Sequence, residues 1–131
     1  MLSGFTPHTV LATADLARAR SFYEGLGFTG EETPGGGVLY TAGEGHFHVY
    51  PSGFAGTDKA THMGFTLPEG DFDQVVAAVR EQGVSFDTFD ASGMSGAEWR
   101  DEVLTMGDQL RAVWFRDPDG NIIAITTGMP A

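Results

Sequence analysis

The chain has 131 residues, 41% of them hydrophobic, which suits one domain with a single core. It has no cysteine, so disulfides and thiolate metal sites are excluded. The formal net charge of −11 argues against nucleic-acid binding, because phosphates are neutralised by Lys and Arg. No secretory signal pattern and no apolar run long enough for a bilayer is visible, so we expect a cytoplasmic protein without membrane partners.

The first half of the chain predicts one strand, one helix and then three strands. The helix is indicated by apolar residues at helical spacing, and Gly27 can end it. The segment "TPGGG" is typical of a turn. The predicted elements are strand Phe5–Thr13, helix Asp15–Leu26, and strands Phe28–Glu32, Val38–Ala42 and His46–Tyr50.

The same order is predicted again after a linker, Pro51–Ala60. Asp90–Gln109 is too long for a hairpin loop, and we interpret its "GAEWRDEVLTMG" as a short helix in a structured loop of the kind that often forms a lid. "DPDG" has the turn residues that join two strands. The predicted elements are strand Thr61–Leu67, helix Asp71–Gln82, and strands Val84–Phe89, Leu110–Arg116 and Asn121–Thr127.

This repetition predicts an α+β fold in which two βαβββ modules form one cup-shaped sheet resembling half a barrel. Module one spans about 5–50 and module two about 61–128, with a linker at 51–60, in a single domain of residues 1–131. Each module alone is a curved sheet with one open face, and two together can surround a ligand.

Two motifs within this repeated order resemble a known superfamily. "ADLARARSFYEGLGF" (14–28) is similar to the first-helix signature of the vicinal oxygen chelate superfamily, and "WFRDPDGNIIAI" (114–125) to its closing hairpin. The resemblance covers nearly the whole chain and implies the glyoxalase/bleomycin resistance/dihydroxybiphenyl dioxygenase fold and a homodimer. Members of this superfamily include isomerases, dioxygenases, fosfomycin-modifying transferases and metal-free drug-binding proteins, so the fold alone does not give the function.

The resemblance also implies where a metal would be held. In metal-dependent members the ligands come from the first and last strands of each half, which here correspond to His8, His48 or a neighbour, His62 and Ala124. Ala124 stands where "GNIIE" would place a glutamate, so the usual chelate is incomplete. The linker "YPSGFAGT" also resembles that of members without a metal centre.

Three interpretations of the histidines stay open. His8, His48 and His62 could form a three-imidazole site, since imidazole binds divalent transition metals. They could instead be a polar wall that hydrogen-bonds a ligand. A carboxylate from the long loop could also replace the missing glutamate. The candidate carboxylates are Glu98, Asp101 and Glu102.

The predicted ligand pocket combines these histidines with aromatic residues. Strand periodicity places His46, His48 and Tyr50 on one face, and makes Trp114 and Phe115 face opposite ways. Trp99 could stack on a planar or cationic ligand, or it could simply fix the loop to the rim of the sheet. The pocket candidates are His8, His46, His48, Tyr50, His62, Trp99 and Trp114.

These observations favour a protein that binds a small molecule in the cup without the usual metal chelate. The alternative is a metal-dependent lyase, isomerase or dioxygenase with a three-histidine site. A third hypothesis is an interaction module whose cup is filled by its own side chains. We therefore expect either no cofactor or one divalent transition metal (Zn, Ni, Fe or Mn), and we assign no catalytic residue.

Overall fold

The computed structural model describes residues 1–57, 60, 62–107, 109–116, 118 and 121–128. A short 3-10 helix, Leu2–Gly4, precedes the first module. Module one contains β1 Pro7–Thr13, α1 Leu16–Gly25, β2 Thr29–Glu32, β3 Val38–Ala42 and β4 Gly45–Pro51. Module two contains β5 His62–Thr66, α2 Glu69–Glu81, β6 Ala97–Arg100, β7 Val103–Met106, β8 Leu110–Arg116 and β9 Ile122–Thr127.

All nine strands belong to one mixed sheet, in the order β2-β3-β4-β1-β5-β9-β8-β7-β6. The modules meet at its centre, where β1 and β5 pair antiparallel. Each first strand also pairs parallel with the last strand of its own module, β1 with β4 and β5 with β9. The sheet curls into a half-barrel with two helices, which confirms the predicted α+β fold class. The limits of the predicted domain and linker stay a prediction.

Local capping explains the bounds of α1. The Asp15 carboxylate accepts a hydrogen bond from the backbone N–H of Arg18 at 3.1 Å, and the Thr13 hydroxyl accepts one from the N–H of Asp15 at 3.1 Å. These contacts satisfy amides that a helix leaves unpaired at its start. Gly27 follows the helix with a φ of +97°, a left-handed conformation that glycine adopts without steric cost.

The apolar core lies between the helices and one face of the sheet, in two clusters of unequal size. In module one the buried members are Val38, Tyr40 and Val49. In module two they are Phe65, Leu67, Phe72, Val75, Val76, Val79, Phe86, Val113, Phe115 and Ile125. The other face of the sheet carries no helix, and it is the concave face of the curl. Within the described residues, no helix has the length and apolarity needed to cross a bilayer.

Two predicted elements of module two are wrong. Residues 84–89 do not form a strand: only Asp87 makes an isolated bridge, to Trp114. The long segment 90–109 contains the hairpin β6–β7 instead of a short helix. Its polar sequence resembles that of a helix, but β7 pairs with β8, and this non-local pairing decides its structure.

A residue of α2 stabilises the turn of this hairpin. Asp101 and Glu102 occupy it with φ values of +51° and +65°. Arg80 of α2 donates to the Asp101 carboxylate at 2.7 Å and also to its carbonyl oxygen. The predicted "DPDG" turn includes residues 117, 119 and 120, which lie outside the described residues.

Candidate functional site

Strand register gathers the predicted histidines on the helix-free face. Val10 of β1 lies opposite His48 of β4 on one side and His62 of β5 on the other. Since side chains two residues apart share a face of a strand, His8 lies on this face with Val10, and Tyr50 lies there with His48. The face that the family resemblance assigns to a ligand is therefore the face that the helices leave uncovered.

The paired central strands relate these positions by an approximate two-fold axis. His8 lies opposite Gly64, and His62 lies opposite Val10. In β4, His48 is beside Val10, and in β9, Ala124 is beside Gly64. The four positions implied for a chelate therefore form two equivalent pairs, His8 with His62 and His48 with Ala124. Three carry an imidazole and the fourth carries a methyl group, which has no donor atom.

The His48 ring has its hydrogen-bond partner on the side of β4 that faces away from β1. Its Nε2 lies 3.1 Å from the hydroxyl oxygen of buried Thr33, within hydrogen-bonding distance. A Cβ atom at position 37 would lie 2.6 Å from the same nitrogen, so Gly37 makes room for the ring. Thr33 and Gly37 flank the turn between β2 and β3. This nitrogen is therefore directed away from His8 and His62.

The His8 ring leans over β5. A Cβ atom at position 64 would lie 2.8 Å from Nε2 of His8, closer than a real Cβ approaches such an atom. Gly64 thus provides the space that the ring occupies, and Ala124 beside it keeps the neighbouring position small. A glycine inside a strand often marks such a close approach.

His62 is the least satisfied polar side chain of this face. Both ring nitrogens are sealed from solvent and have no hydrogen-bond partner among the described residues. Its ring meets Tyr50 edge to face, with ring centroids 5.6 Å apart. Tyr50 in turn stacks against His48 at 6.3 Å, and burial raises the pKa of its phenol. A buried donor or acceptor without a partner is costly, so a native protein that keeps one invites a functional explanation.

The three imidazoles of this face are neutral at pH 7. Burial, followed by the neighbouring histidines, lowers the pKa of His48 and of His62 to about 4. Burial and the nearby His46 also lower the pKa of His8. A neutral imidazole presents one N–H donor and one acceptor nitrogen, so this face offers hydrogen bonds but no charge.

A cluster of three aromatic rings forms the module-two part of the same face. Trp114 of β8 lies opposite Ala124, and its ring contacts Phe89 at 5.2 Å and Trp99 at 6.2 Å between centroids. The Trp99 indole N–H donates to the carbonyl of Phe89 at 3.1 Å. Trp99 therefore belongs to strand β6 and ties the preceding segment to the sheet. Phe115 faces the opposite way, into the core, as the alternation predicts.

The other predicted residues do not join the three buried imidazoles. His46 shares the face of His48 and lies near His8, but it is exposed opposite Thr41. Glu98 pairs with Arg100 at 3.2 Å and Asp101 pairs with Arg80, so both carboxylates are engaged at the hairpin. Across the part of the chain that the structure describes, no three His, Asp or Glu side chains gather in a way that could hold a metal ion. The residues present therefore do not fit the chelate that the resemblance implies.

Two concavities lie outside the histidine face. One, of about 270 Å³, is on the helix side beside α1 and includes Leu11, Phe22 and Val49. The other, of about 510 Å³, lies between the β2–β3 turn at Gly35 and the ends of β7 and β9, and includes Met106. Neither is lined by a histidine.

Sequence reasoning missed the residues that shape the space around the imidazoles. Thr33 and Gly37 were interpreted only as parts of a turn, and Gly64 only as part of a strand. The signal available for Gly64 was a glycine in the middle of "HMGFT", a position where strands disfavour it. For Thr33 no local signal existed, because its contact with His48 spans 15 residues.

Comparison with known proteins agrees with this fold. Residues 6–125 match the family model of the Glyoxalase/Bleomycin resistance protein/Dioxygenase superfamily, and the chain belongs to this superfamily. No protein of curated function matches the sequence.

Solved structures are similar in fold at low identity. A hypothetical protein from Bacillus halodurans C-125 is 13% identical with a TM-score of 0.61, over 95% of this chain and 94% of that one. A superfamily member from Vibrio splendidus 12B01 is 16% identical with a TM-score of 0.53, over 94% and 98%. A Legionella pneumophila protein described as an NAD-dependent benzaldehyde dehydrogenase is 11% identical with a TM-score of 0.61, over 93% and 98%. At such identities the likeness concerns the fold alone.

Proposed function

We propose that this superfamily member binds a small molecule on the concave face of its sheet, without the metal chelate that the superfamily resemblance implies. The observation that carries the proposal is the arrangement of the four chelate positions. Ala124 offers no donor, and Nε2 of His48 is directed to Thr33. His62 keeps two nitrogens that have no partner in the described part of the chain and that a ligand can satisfy.

The chemistry of the face suits binding better than catalysis. Its imidazoles are neutral, and Tyr50 holds its proton more tightly than an ordinary phenol because burial raises its pKa. A general base works best with a pKa near the working pH, and the pKa of about 4 of His48 and His62 makes them weak bases. Hydrogen bonding and stacking remain as the main interactions with a ligand.

The alternative is a metal-dependent lyase, isomerase or dioxygenase that uses His8, His48 and His62. One observation favours it: both nitrogens of His62 lack partners among the described residues, and a metal ion could bind one of them. Because the side chains present do not gather as a chelate, we derive no metal-dependent step. A homodimer and a cytoplasmic location stay predictions.

Elemental analysis of untagged protein separates the two functions. The protein is incubated with Zn, Ni, Fe or Mn and dialysed, and a thermal-shift screen of chemically diverse small molecules is run in parallel. We expect substoichiometric metal, no change on adding chelator, and stabilisation by at least one compound. Near-stoichiometric metal that disappears in His8→Ala and in His62→Ala would contradict the proposal and support the metal-dependent alternative.

A further inference from the structure

We propose that the helix side of module one holds a second ligand site, for an alkyl carboxylate, in which Arg18 binds the carboxylate and the apolar groove beside α1 receives the chain. This site lies on the face of the sheet opposite the histidines, so it goes beyond the function proposed above. Three features carry it: the cavity beside α1, an arginine that has no ion pair within the described residues, and a row of exposed apolar side chains.

The cavity beside α1, of about 270 Å³, is apolar at its base and charged at one wall. Leu11 of β1 and Val49 of β4 are register partners and form the base. Arg18 and Phe22 lie one helical turn apart on α1 and form the wall. Among the described residues that line the cavity, Arg18 is the one that carries a charge. A ligand here therefore meets a cation at one end and hydrocarbon beyond it.

The guanidinium of Arg18 is available to an external anion. Asp15, the nearest acidic residue along the chain, uses its carboxylate to accept the backbone N–H of Arg18 at 3.1 Å, as the cap of α1. Within the part of the chain that the structure describes, no ion pair joins the Arg18 side chain to a carboxylate. The other arginines all pair with an acidic side chain: Arg20, Arg80, Arg100, Arg111 and Arg116. In a chain with a net charge of −11, an arginine without such a partner indicates a site for an anion.

Exposed apolar side chains extend the groove along α1. Phe22 is 61% exposed, and Leu26, one turn further on, is 63% exposed. Leu11, on the strand that α1 covers at the cavity, is also exposed. Single exposed apolar residues are common, but a contiguous group of them marks a binding surface. From Arg18 to Leu26 the chain rises about 12 Å along the helix, comparable with an extended alkyl chain of about eight to ten carbons.

The charges select a head group with one negative charge. A guanidinium presents paired N–H donors that match the two oxygens of a carboxylate. A phosphate monoester carries a charge of about −1.5 to −2 at neutral pH, more than one arginine balances in a protein that is already strongly acidic. A cationic head group would place like charges together at Arg18. An alkyl carboxylate therefore suits both ends of the groove.

NMR titrations of the full chain locate the site and measure the contribution of the alkyl chain. Hexanoate, octanoate and decanoate are added below the concentrations at which they form micelles. We expect octanoate to shift the backbone amide signals of Ala12 and Ala19, which line the cavity, and to leave the indole N–H signals of Trp99 and Trp114 on the concave face unchanged. From hexanoate to decanoate, affinity should rise about four- to fifteenfold for each two added methylene groups, which corresponds to half or full burial of these groups.

Comparison of octanoate with 1-octanol tests the contact with Arg18. In Arg18→Gln the ratio of these two affinities should fall about three- to fivefold, as expected for a partly exposed ion pair. Arg18→Lys keeps the charge and should keep most of the ratio. Arg100→Gln is the matched control, because it removes the same charge from an exposed arginine of the β6–β7 hairpin and should leave the ratio unchanged. Octyltrimethylammonium should bind the wild-type protein more weakly than octanoate, although the net charge of −11 attracts cations in general.

Phe22→Gln should weaken octanoate and 1-octanol alike, because it removes the apolar wall while the exposed position tolerates the change. An unchanged ratio in Arg18→Gln, or tighter binding of the ammonium compound than of octanoate, would overturn the inference. So would octanoate that shifts only the indole signals, or carboxylates that do not bind at all. A protein that is dimeric by light scattering, becomes monomeric in Phe22→Gln and does not bind octanoate would assign the groove to a second copy of the chain.

Discussion

The two modules share the βαβββ order, to which module two adds the edge strand β6, but they divide their roles unequally. In module two, α2 buries Phe72 and three valines against the sheet, whereas α1 of module one has no fully buried residue. On the opposite face, the position occupied by His48 in module one is occupied by Ala124 in module two. The comparison indicates that the core of module two supplies most of the apolar stabilisation.

Removing a large side chain from the core of module two should have the largest effect. Phe72 is 1% exposed and lies under the guanidinium of Arg111 at 4.6 Å, so Phe72→Ala should lower the free energy of unfolding by about 3–5 kcal/mol. Phe22→Ala on α1, where the ring is 61% exposed, should change it by about 0.5 kcal/mol or less. Urea unfolding measures both, and similar losses would contradict the unequal division.

Acid should destabilise the protein through the histidines of the concave face. An unfolded histidine titrates near its ordinary pKa of 6.5, whereas burial lowers the pKa of folded His48 and His62 to about 4. The unfolded chain therefore binds more protons between these values, and stability falls as the pH drops from about 7 to 5. We expect a loss on the order of 2 kcal/mol per histidine between pH 7 and pH 5, with further loss as the pH falls through about 4.

Urea unfolding at several pH values between about 5 and 7 avoids most of the carboxylate titration. The slope of the unfolding free energy against pH should decrease in His62→Leu. It should decrease again when His48→Asn is added. An unchanged slope in the double variant would assign the pH dependence to other groups.

Replacing His62 with an apolar residue should stabilise the protein at neutral pH while weakening ligand binding. His62→Leu removes two buried nitrogens for which the described residues provide no partner, and each unsatisfied group costs about 1–3 kcal/mol. We expect a gain of about 1 kcal/mol or more, reduced by any packing mismatch against Tyr50. Thermal and urea unfolding provide the measurement, and a clear loss of stability would show that the ring has a structural partner.

The smallest expected effect concerns the hairpin that module one lacks. Glu102 has a φ of +65°, which costs a residue with a side chain about 1 kcal/mol, so Glu102→Gly should stabilise the protein by up to that amount. The control is Glu44→Gly in the β3–β4 turn, where the neighbouring Gly43 already takes the positive φ. This control should give no stabilisation, because glycine there only increases the freedom of the unfolded chain.

Elements with strong local signals were predicted well. The bounds of β3 and β8 agree with the prediction, and α1 lies within the predicted range and ends before Gly27, as this glycine indicated. Segment 84–109 was wrong in both of its elements, since its structure depends on contacts with Trp114, Arg80 and β8. Local propensity cannot contain these distant contacts.

For the candidate site, the sequence identified the residue types and the strand face on which they lie, but not the direction in which each side chain points. Two-residue periodicity placed His48 and Tyr50 together, and the missing glutamate at Ala124 was visible in "GNIIAI". The rotation of each imidazole was decided by partners far along the chain. Thr33 bonds the ring of His48, and Gly64 makes room for the ring of His8.

The sequence by itself therefore determined the duplicated α+β architecture, the superfamily and the absence of a carboxylate at position 124, because periodicity, capping and motif are local properties. Only the tertiary structure decided that the imidazoles are buried and neutral, that His48 is directed to Thr33, and that His62 has no hydrogen-bond partner among the described residues. The reason is that burial and hydrogen-bond pairing arise where strands distant in sequence meet. In this protein that place is the β1–β5 junction, where the two modules join.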